Sequence, residues 1–297
     1  MRILFIASSR IGDAVIGSGV LERLRSESPR ARITVACGAA AAPVFWRLPG
    51  LERLIVFEKE PLDFHWVRLW GRLVFRFWDV AVDVRGSGLT FLLPVRRRYV
   101  LRGGRRPGRR YQQLAAGMGF APAPLPVAWV SAADEAQAAR LMPAGPVIAL
   151  GPTANWDGKI WPADRFVAVF RALAEVIPGA RAAIFAGPGA AEQARAAPVL
   201  AALPDAFDFV GRLDLPVVAA CLRRATIFIG NDSGLMHLAA AAGVPTLGLF
   251  GRSRASEYAP AGVRTAVAVA PGPEGEAPMD GLTVEAVVDA AKLLLCA

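Results

Sequence analysis

Cysteine, histidine and lysine are all scarce in this 297-residue chain, and each scarcity narrows the chemistry available. The three cysteines, Cys37, Cys221 and Cys296, lie far apart and are odd in number, so reduced thiols are expected rather than a disulfide or a zinc site. His65 and His237 are the only histidines and no Asp-x-Asp occurs, so neither a built-in metal site nor a metal or organic cofactor is expected. No Gly-x-Gly-x-x-Gly follows the first strand candidate, where the chain reads Ser9-Arg10-Ile11-Gly12-Asp13-Ala14, which disfavours a dinucleotide dehydrogenase. A Gly-x-x-x-x-Gly-Lys-Ser/Thr loop is missing too, and Ser233 lacks the Gly-x-Ser-x-Gly frame of a serine hydrolase. No apolar run reaches the roughly 18 residues of a spanning helix, and the N-terminal apolar stretch is too short for a signal peptide. A cytoplasmic protein starting at Met1 is therefore expected.

What the chain has in abundance is apolar residues, 54% of the total, enough for full hydrophobic cores in two domains. Its charge of +9 is unevenly placed. Up to Gly145 there are 22 Lys and Arg against 11 Asp and Glu, a net +11; from Pro146 onward there are 12 against 14, a net −2. A basic first half should meet an anionic partner, whether nucleic acid, a membrane surface or a phosphorylated substrate.

Strand and helix candidates alternate along the whole chain, which is the pattern of parallel α/β layers. Arg2 to Ala7, Arg32 to Ala36, Arg53 to Phe57, Val80 to Val84 and Arg98 to Leu101 read as strands of the first half. Helices are read over Ala14 to Ser28 and His65 to Phe77. The proline-rich Pro122 to Pro126 approaches a boundary, with the hinge read at Leu141 to Pro146. This gives domains over 1–143 and 144–297, the terminal helix packing back on the first. The second half repeats the alternation, with strands at Val147 to Leu150, Arg181 to Ala186, Phe207 to Val210, Ala225 to Ile229, Val244 to Phe250 and Thr265 to Val269. Two such halves imply a cleft lined by the carboxyl ends of both sheets, as a two-substrate enzyme needs.

Three loops carry the candidate chemistry. Gly230-Asn231-Asp232-Ser233-Gly234 follows a buried strand and opens a helix, so its free N–H groups and helix dipole point at one spot, where phosphate is well held; the plainer reading is a helix cap at Asp232 or Ser233 with His237 packed behind. Asp13 stands at the start of the first helix, where the dipole favours a charged carboxylate able to accept a hydroxyl proton, although first-turn aspartates are also common for electrostatic reasons alone. The stretch Gly151 to Pro162 follows another strand and holds Lys159, one of three lysines, placed to grip phosphate oxygens as a point charge. Gly187-Pro188-Gly189 resembles a nucleotide loop, with Glu192 within reach of a ribose.

Residues 96 to 110 hold eight arginines among glycines and a proline, which reads as an exposed loop, either solvated surface or an anion-binding lip. In the helix candidate before it, Val67, Trp70, Val74 and Phe77 follow helical spacing while Arg68, Arg72 and Arg76 recur on another face. That pattern fits a crossover helix packed on the sheet, an amphipathic strip on anionic lipid, or both if part of the apolar face stays uncovered.

Arg10-Ile11-Gly12-Asp13-Ala14-Val15, Lys159-Ile160-Trp161-Pro162 with Phe166, and the run from Gly230 to Ala239 together make the chain resemble glycosyltransferase family 9, the ADP-heptose:lipopolysaccharide heptosyltransferases. The resemblance implies a GT-B fold, two Rossmann-like parallel-sheet domains facing across a cleft, and metal-free inversion at the anomeric carbon. It implies Asp13 as the base, with Lys159 and Asp232 on the donor and His237 supporting the loop. Ser233 and Gly234 would hold the diphosphate, Glu192 the ribose and Leu213 the adenine, with Thr153, Asn155 and Gly187 in the donor loops. The nucleotide sugar is then a co-substrate, and the other partner is a lipid-linked saccharide at the inner membrane surface. Arg10, Arg96, Arg97, Arg98, Arg102, Arg105 and Arg106 are the acceptor candidates. Two other readings remain open: a basic nucleic-acid-binding module on a degenerate fold, disfavoured because aromatic residues do not interleave with the arginine loop, and a sugar-nucleotide epimerase.

Overall fold

The computed structural model describes residues 1–101 and 107–297. Arg102, Arg105 and Arg106, assigned to the acceptor from sequence, lie outside the described residues. By its contacts the chain divides into two units, Met1–Trp129 and Val130–Ala297.

The first unit is built on five parallel strands, β1 (Arg2–Ile6), β2 (Arg32–Cys37), β3 (Leu51–Val56), β4 (Trp78–Asp83) and β5 (Val95–Val100), in the order β3-β2-β1-β4-β5. Its main helices are α1 (Ile11–Glu27), α2 (Phe64–Leu73) and α3 (Arg110–Gly117). β1 sits in the middle, fully buried from Ile3 to Ile6, as a continuous apolar run covered on both faces should be. The proline-rich stretch is laid along α1: Ser18 Oγ donates to Val127 O and accepts from Val127 N, both at 2.8 Å, and Trp129 Nε1 donates to Glu22 at 2.9 Å.

The second unit has six parallel strands: β6 (Val147–Gly151), β7 (Arg181–Ala186), β8 (Phe207–Val210), β9 (Ile227–Asn231), β10 (Thr246–Phe250) and β11 (Thr265–Val269). They run in the order β11-β10-β9-β6-β7-β8. Around them lie α4 (Ala132–Leu141), α5 (Ala163–Val176), α6 (Ala190–Ala202), α7 (Leu215–Arg223), α8 (Gly234–Ala242), α9 (Ala255–Tyr258) and α10 (Val284–Cys296).

Several expectations shift. The boundary falls before α4 rather than at Leu141 to Pro146, because α4 packs on α7: Arg224 Nε donates to Met142 O at 2.8 Å, Arg223 pairs with Glu135 at 3.0 Å, and Ala138 is fully buried. The terminal helix α10 contributes Val287, Ala291 and Leu294 to the second unit's core. β5 begins at Val95, so Arg96, Arg97 and Arg98 lie on an edge strand instead of in a loop. The buried stripe of α2 is His65, Leu69 and Leu73, whereas Val67 and Trp70 of the expected stripe are exposed. All three cysteines are free, and burial pushes the Cys37 thiol up to about 12 and Cys221 up to about 11.

Candidate functional site

In a parallel sheet every strand delivers its following loop to the same edge, so loops far apart in sequence become neighbours when their strands are adjacent. In the second unit β9, β6, β7 and β8 are consecutive. The loops holding Asp232, Lys159, Gly187 and Leu213 therefore stand in one row at the carboxyl edge.

One end of that row, over the middle of the sheet, is an ion pair. Lys159 leaves a short 3₁₀ turn, Asp157–Lys159, and its Nζ meets Asp232 Oδ2 at 2.5 Å across 73 residues of sequence. Asp232 is only 4% exposed and Lys159 21% exposed, so the carboxylate is sunk while the ammonium still faces outward. On the other side, His237 Nε2 is 3.8 Å from Asp232 Oδ1 and is buried on α8. Tyr258 of α9 presents its ring 5.9 Å from Lys159 Nζ.

Backbone contacts fix this pair in place. Asn231 Oδ1 accepts from Trp161 N at 3.1 Å, tying the end of β9 to the segment after Lys159. Trp161 is fully buried, donates through Nε1 to Leu282 O at 2.9 Å and meets Phe166 edge-on at 5.3 Å. Arg165 donates to Asp280 O and Leu282 O at 2.7 and 2.6 Å. Replacing Asn231 with Ala leaves the buried Trp161 N–H without an acceptor and should lower stability by about 1–3 kcal/mol in denaturant titration.

Ser233 is the N-cap of α8; its hydroxyl accepts from Met236 N at 3.4 Å and its carbonyl from His237 N at 3.3 Å. Gly234 and Leu235 sit in the first turn, where N–H groups have no partner within the helix. A buried carboxylate, a lysine and a helix N-terminus at one spot can hold sugar hydroxyls and phosphate oxygens together.

One strand along, Glu192 Oε2 accepts from Gly187 N at 2.6 Å and from Thr153 Oγ1 at 2.9 Å. Thr153 is 2% exposed, so its hydroxyl positions Glu192, and a Cβ added at Gly187 would stand 3.0 Å from that carboxyl. Asn155 is exposed, and Leu213 is half-buried after β8. Arg195 brackets the Lys159 loop through Asp157 at 2.6 Å, a contact that neither residue's local sequence signals.

In the first unit, Asp13 is the third residue of α1, half-buried, after an N-cap at Arg10 that supplies no side-chain hydrogen bond. The loop before it is held close to β2, since a Cβ at Gly38 would come within 2.7 Å of Ser9 Cβ. Arg85, which sequence reading passed over, follows β4: its guanidinium lies 5.5 Å from the Phe57 ring centre and 5.0 Å from that of Trp66, and Nη1 is 3.4 Å from Ser9 Oγ. β1 and β4 are adjacent, so Arg10, Asp13 and Arg85 share one edge. Arg10, Arg96 and Arg97 are exposed, Arg97 4.8 Å from the Tyr99 ring centre. Arg98 donates to Thr90 O and Leu93 O, both at 2.8 Å, and so braces the chain beneath β5. Among the described residues no three His, Cys, Asp or Glu side chains gather as metal ligands would. A cavity of about 620 Å³ opens at the opposite edge of the second sheet, between Phe170, Arg181 and Asp205, and takes no residue from these loops.

Two parallel α/β units of five and six strands have the GT-B fold of the solved heptosyltransferases, and the second carries a lysine, a carboxylate and a helix N-terminus at its carboxyl edge. Residues 90–278 match glycosyltransferase family 9 (heptosyltransferase), well over half of the chain, and the protein belongs to that family. It is thus a glycosyl-transferring enzyme. The chain is 23% identical over 304 residues to lipooligosaccharide heptosyltransferase 2 of Haemophilus influenzae, covering 88% of this chain and 86% of that protein. The structure of E. coli ADP-heptose lps heptosyltransferase II superposes with a TM-score of 0.78 at 20% identity, covering 100% of this chain and 99% of that one. The family 9 glycosyl transferase from Veillonella parvula gives 0.81 at 20% identity, with 99% and 97% covered.

Proposed function

We propose that this enzyme moves heptose, or a closely related sugar, from an ADP-sugar to an anionic lipopolysaccharide inner-core acceptor, with inversion at the anomeric carbon and without a metal. The observation that carries this reading is the Lys159–Asp232 pair beside the α8 N-terminus, in line with the Glu192 and Leu213 loops on neighbouring strand ends. A nucleotide sugar laid along that row would put its sugar on Asp232 and its diphosphate on Lys159 and the first-turn N–H groups. Ribose would meet Glu192 and adenine Leu213. The relatives named for ADP-heptose and for lipooligosaccharide support the choice of donor and acceptor.

In the reaction Asp13 takes the proton of an acceptor hydroxyl as its oxygen attacks the anomeric carbon. The bond from that carbon to the phosphate oxygen breaks, and ADP leaves with the new charge facing Lys159 and the α8 N-terminus. Arg10, Arg85, Arg96 and Arg97 would meet the acceptor's anionic groups on the basic unit. The acceptor being lipid-linked, the enzyme works at the cytoplasmic face of the inner membrane, peripheral to it; among the described residues no helix is long and apolar enough to cross a membrane.

Release of ADP from ADP-heptose, measured with and without a purified inner-core acceptor, tests this reading. It should depend on the acceptor and yield a product heavier by one heptose. An isomerised sugar nucleotide formed without acceptor would make the enzyme an epimerase instead.

A further inference from the structure

Large apolar side chains left in water are ordinary when scattered, but here they concentrate on one part of the first unit. α2 buries His65, Leu69 and Leu73 on the sheet and turns Phe64, Val67 and Trp70 outward. Phase explains the arrangement: at 3.6 residues per turn, Val67 falls roughly opposite His65 and Leu69. Just beyond the helix, Phe75 is 92% exposed. The short 3₁₀ turn Leu89–Leu92 adds Phe91 at 59% and Leu92 at 68%.

These residues form one surface. Trp70 Nε1 donates to Leu92 O at 3.0 Å, joining α2 to the turn, and Arg98 clamps the same turn through Thr90 O and Leu93 O. Trp78 Nε1 donates to Leu73 O at 3.2 Å, which anchors the chain on either side of Phe75. Ahead of α2, Leu62 and Asp63 take positive φ values of 52° and 58°, a left-handed conformation that aspartate tolerates and leucine rarely adopts, and Leu62 is left 90% exposed.

The border of the surface is basic. Arg68 and Arg72 are exposed along one flank of α2, Arg68 reaching Glu60 at 2.7 Å; Arg76 follows the helix, 3.8 Å from Glu52, and Arg96 and Arg97 are exposed on the neighbouring β5. Aromatic and aliphatic side chains ringed by arginines suit the boundary between acyl chains and anionic headgroups. A second copy of this chain is a poor occupant, because it would bring the same arginines against these.

We propose that this face docks on an anionic lipid bilayer, with Phe64, Val67, Trp70, Phe75, Phe91 and Leu92 entering the headgroup boundary and the arginines lying at headgroup level. The inference deepens the reading of a lipid-linked acceptor by naming the surface that brings the enzyme to it, and it rests on that reading for its biological sense. Its physical content is independent of either substrate.

The test is co-sedimentation of the full chain with vesicles of phosphatidylcholine alone and with vesicles in which one third of the lipid is phosphatidylglycerol. The protein should pellet with the anionic vesicles and stay largely in solution with the neutral ones. Phe75→Ser and Phe91→Ser should each weaken that partition about tenfold, the share of one apolar side chain, with circular dichroism unchanged. Replacing Arg68 and Arg72 with Ala should weaken it about tenfold or more and flatten its salt dependence. No pelleting at low salt, or wild-type partition in both Phe variants, overturns the proposal. A concentration-dependent dimer that Phe75→Ser abolishes also overturns it, in favour of self-association. Nucleotide is absent from the experiment, so failure here with nucleotide binding intact removes only the docking surface. Failure of ADP binding with vesicle binding intact removes the proposed ADP-sugar donor instead.

Discussion

Asp13→Ala should lower kcat by about 10² to 10⁴, the range removed with a general base, while donor affinity stays near wild type. Position makes this the largest expected effect. Asp13 opens α1 directly after the central strand β1, half-buried, and its carboxylate makes no hydrogen bond or ion pair among the described residues. Asp83, at the end of the adjacent β4, is fully buried and already occupied: Oδ1 accepts from Arg85 N at 3.0 Å, and Oδ2 from Ser87 N at 2.9 Å and Ser87 Oγ at 2.7 Å. Asp83 therefore shapes the turn that presents Arg85 and is not available to take a proton. Asp13→Asn keeps the shape and removes the base, so it should fall almost as far as the alanine variant. Turnover near wild type in both variants would take Asp13 out of the mechanism.

Lys159→Ala should act twice, on stability and on rate. Breaking a fully buried ion pair from one side costs about 3–5 kcal/mol, because the remaining charge stays desolvated. Lys159 keeps a fifth of its surface in water, so the expected loss is nearer 2–3 kcal/mol. The rate loss is separate: one cation facing the departing diphosphate accounts for about 10² to 10³ in kcat. A Lys159→Met, Asp232→Asn double variant distinguishes the two effects, since it removes both charges and should recover most of the stability without recovering turnover. Recovery of both together would make the pair a structural contact only.

Much of this was readable in the sequence, and the exceptions have physical reasons. β7 and β11 fall on the residues that their apolar, β-branched runs mark, and the six strands of the second unit were all visible. β5 begins three residues before its sequence signal at Arg98 because Arg96 and Arg97 look like a loop; charged residues are what an edge strand carries to prevent further pairing. α4 was missed although Ser131 and Asp134 form a capping box there, a signal the sequence does contain. Its alanine-rich face gives no sign in sequence that it packs on α7 within the second unit. For α2, period alone could not tell which of two apolar stripes the sheet would cover.

At the carboxyl edge of the second sheet local motifs mark Lys159, Asp232 and His237, but their grouping depends on strand order. Nothing local to Lys159 says that its loop lies beside Asp232; the adjacency of β6 and β9 does. Arg85 escaped because an isolated arginine after a strand has no motif, and only its stacking on Phe57 and Trp66 shows that it is held in place.

The central claim, that the second unit binds an ADP-sugar, is tested most directly by calorimetric titration of the purified enzyme with ADP, UDP, GDP and NAD. ADP should bind selectively and lose affinity in Asp232→Ala and Lys159→Ala. Preference for UDP or GDP would contradict the donor assignment, and failure to bind any of the four would contradict the account of the site.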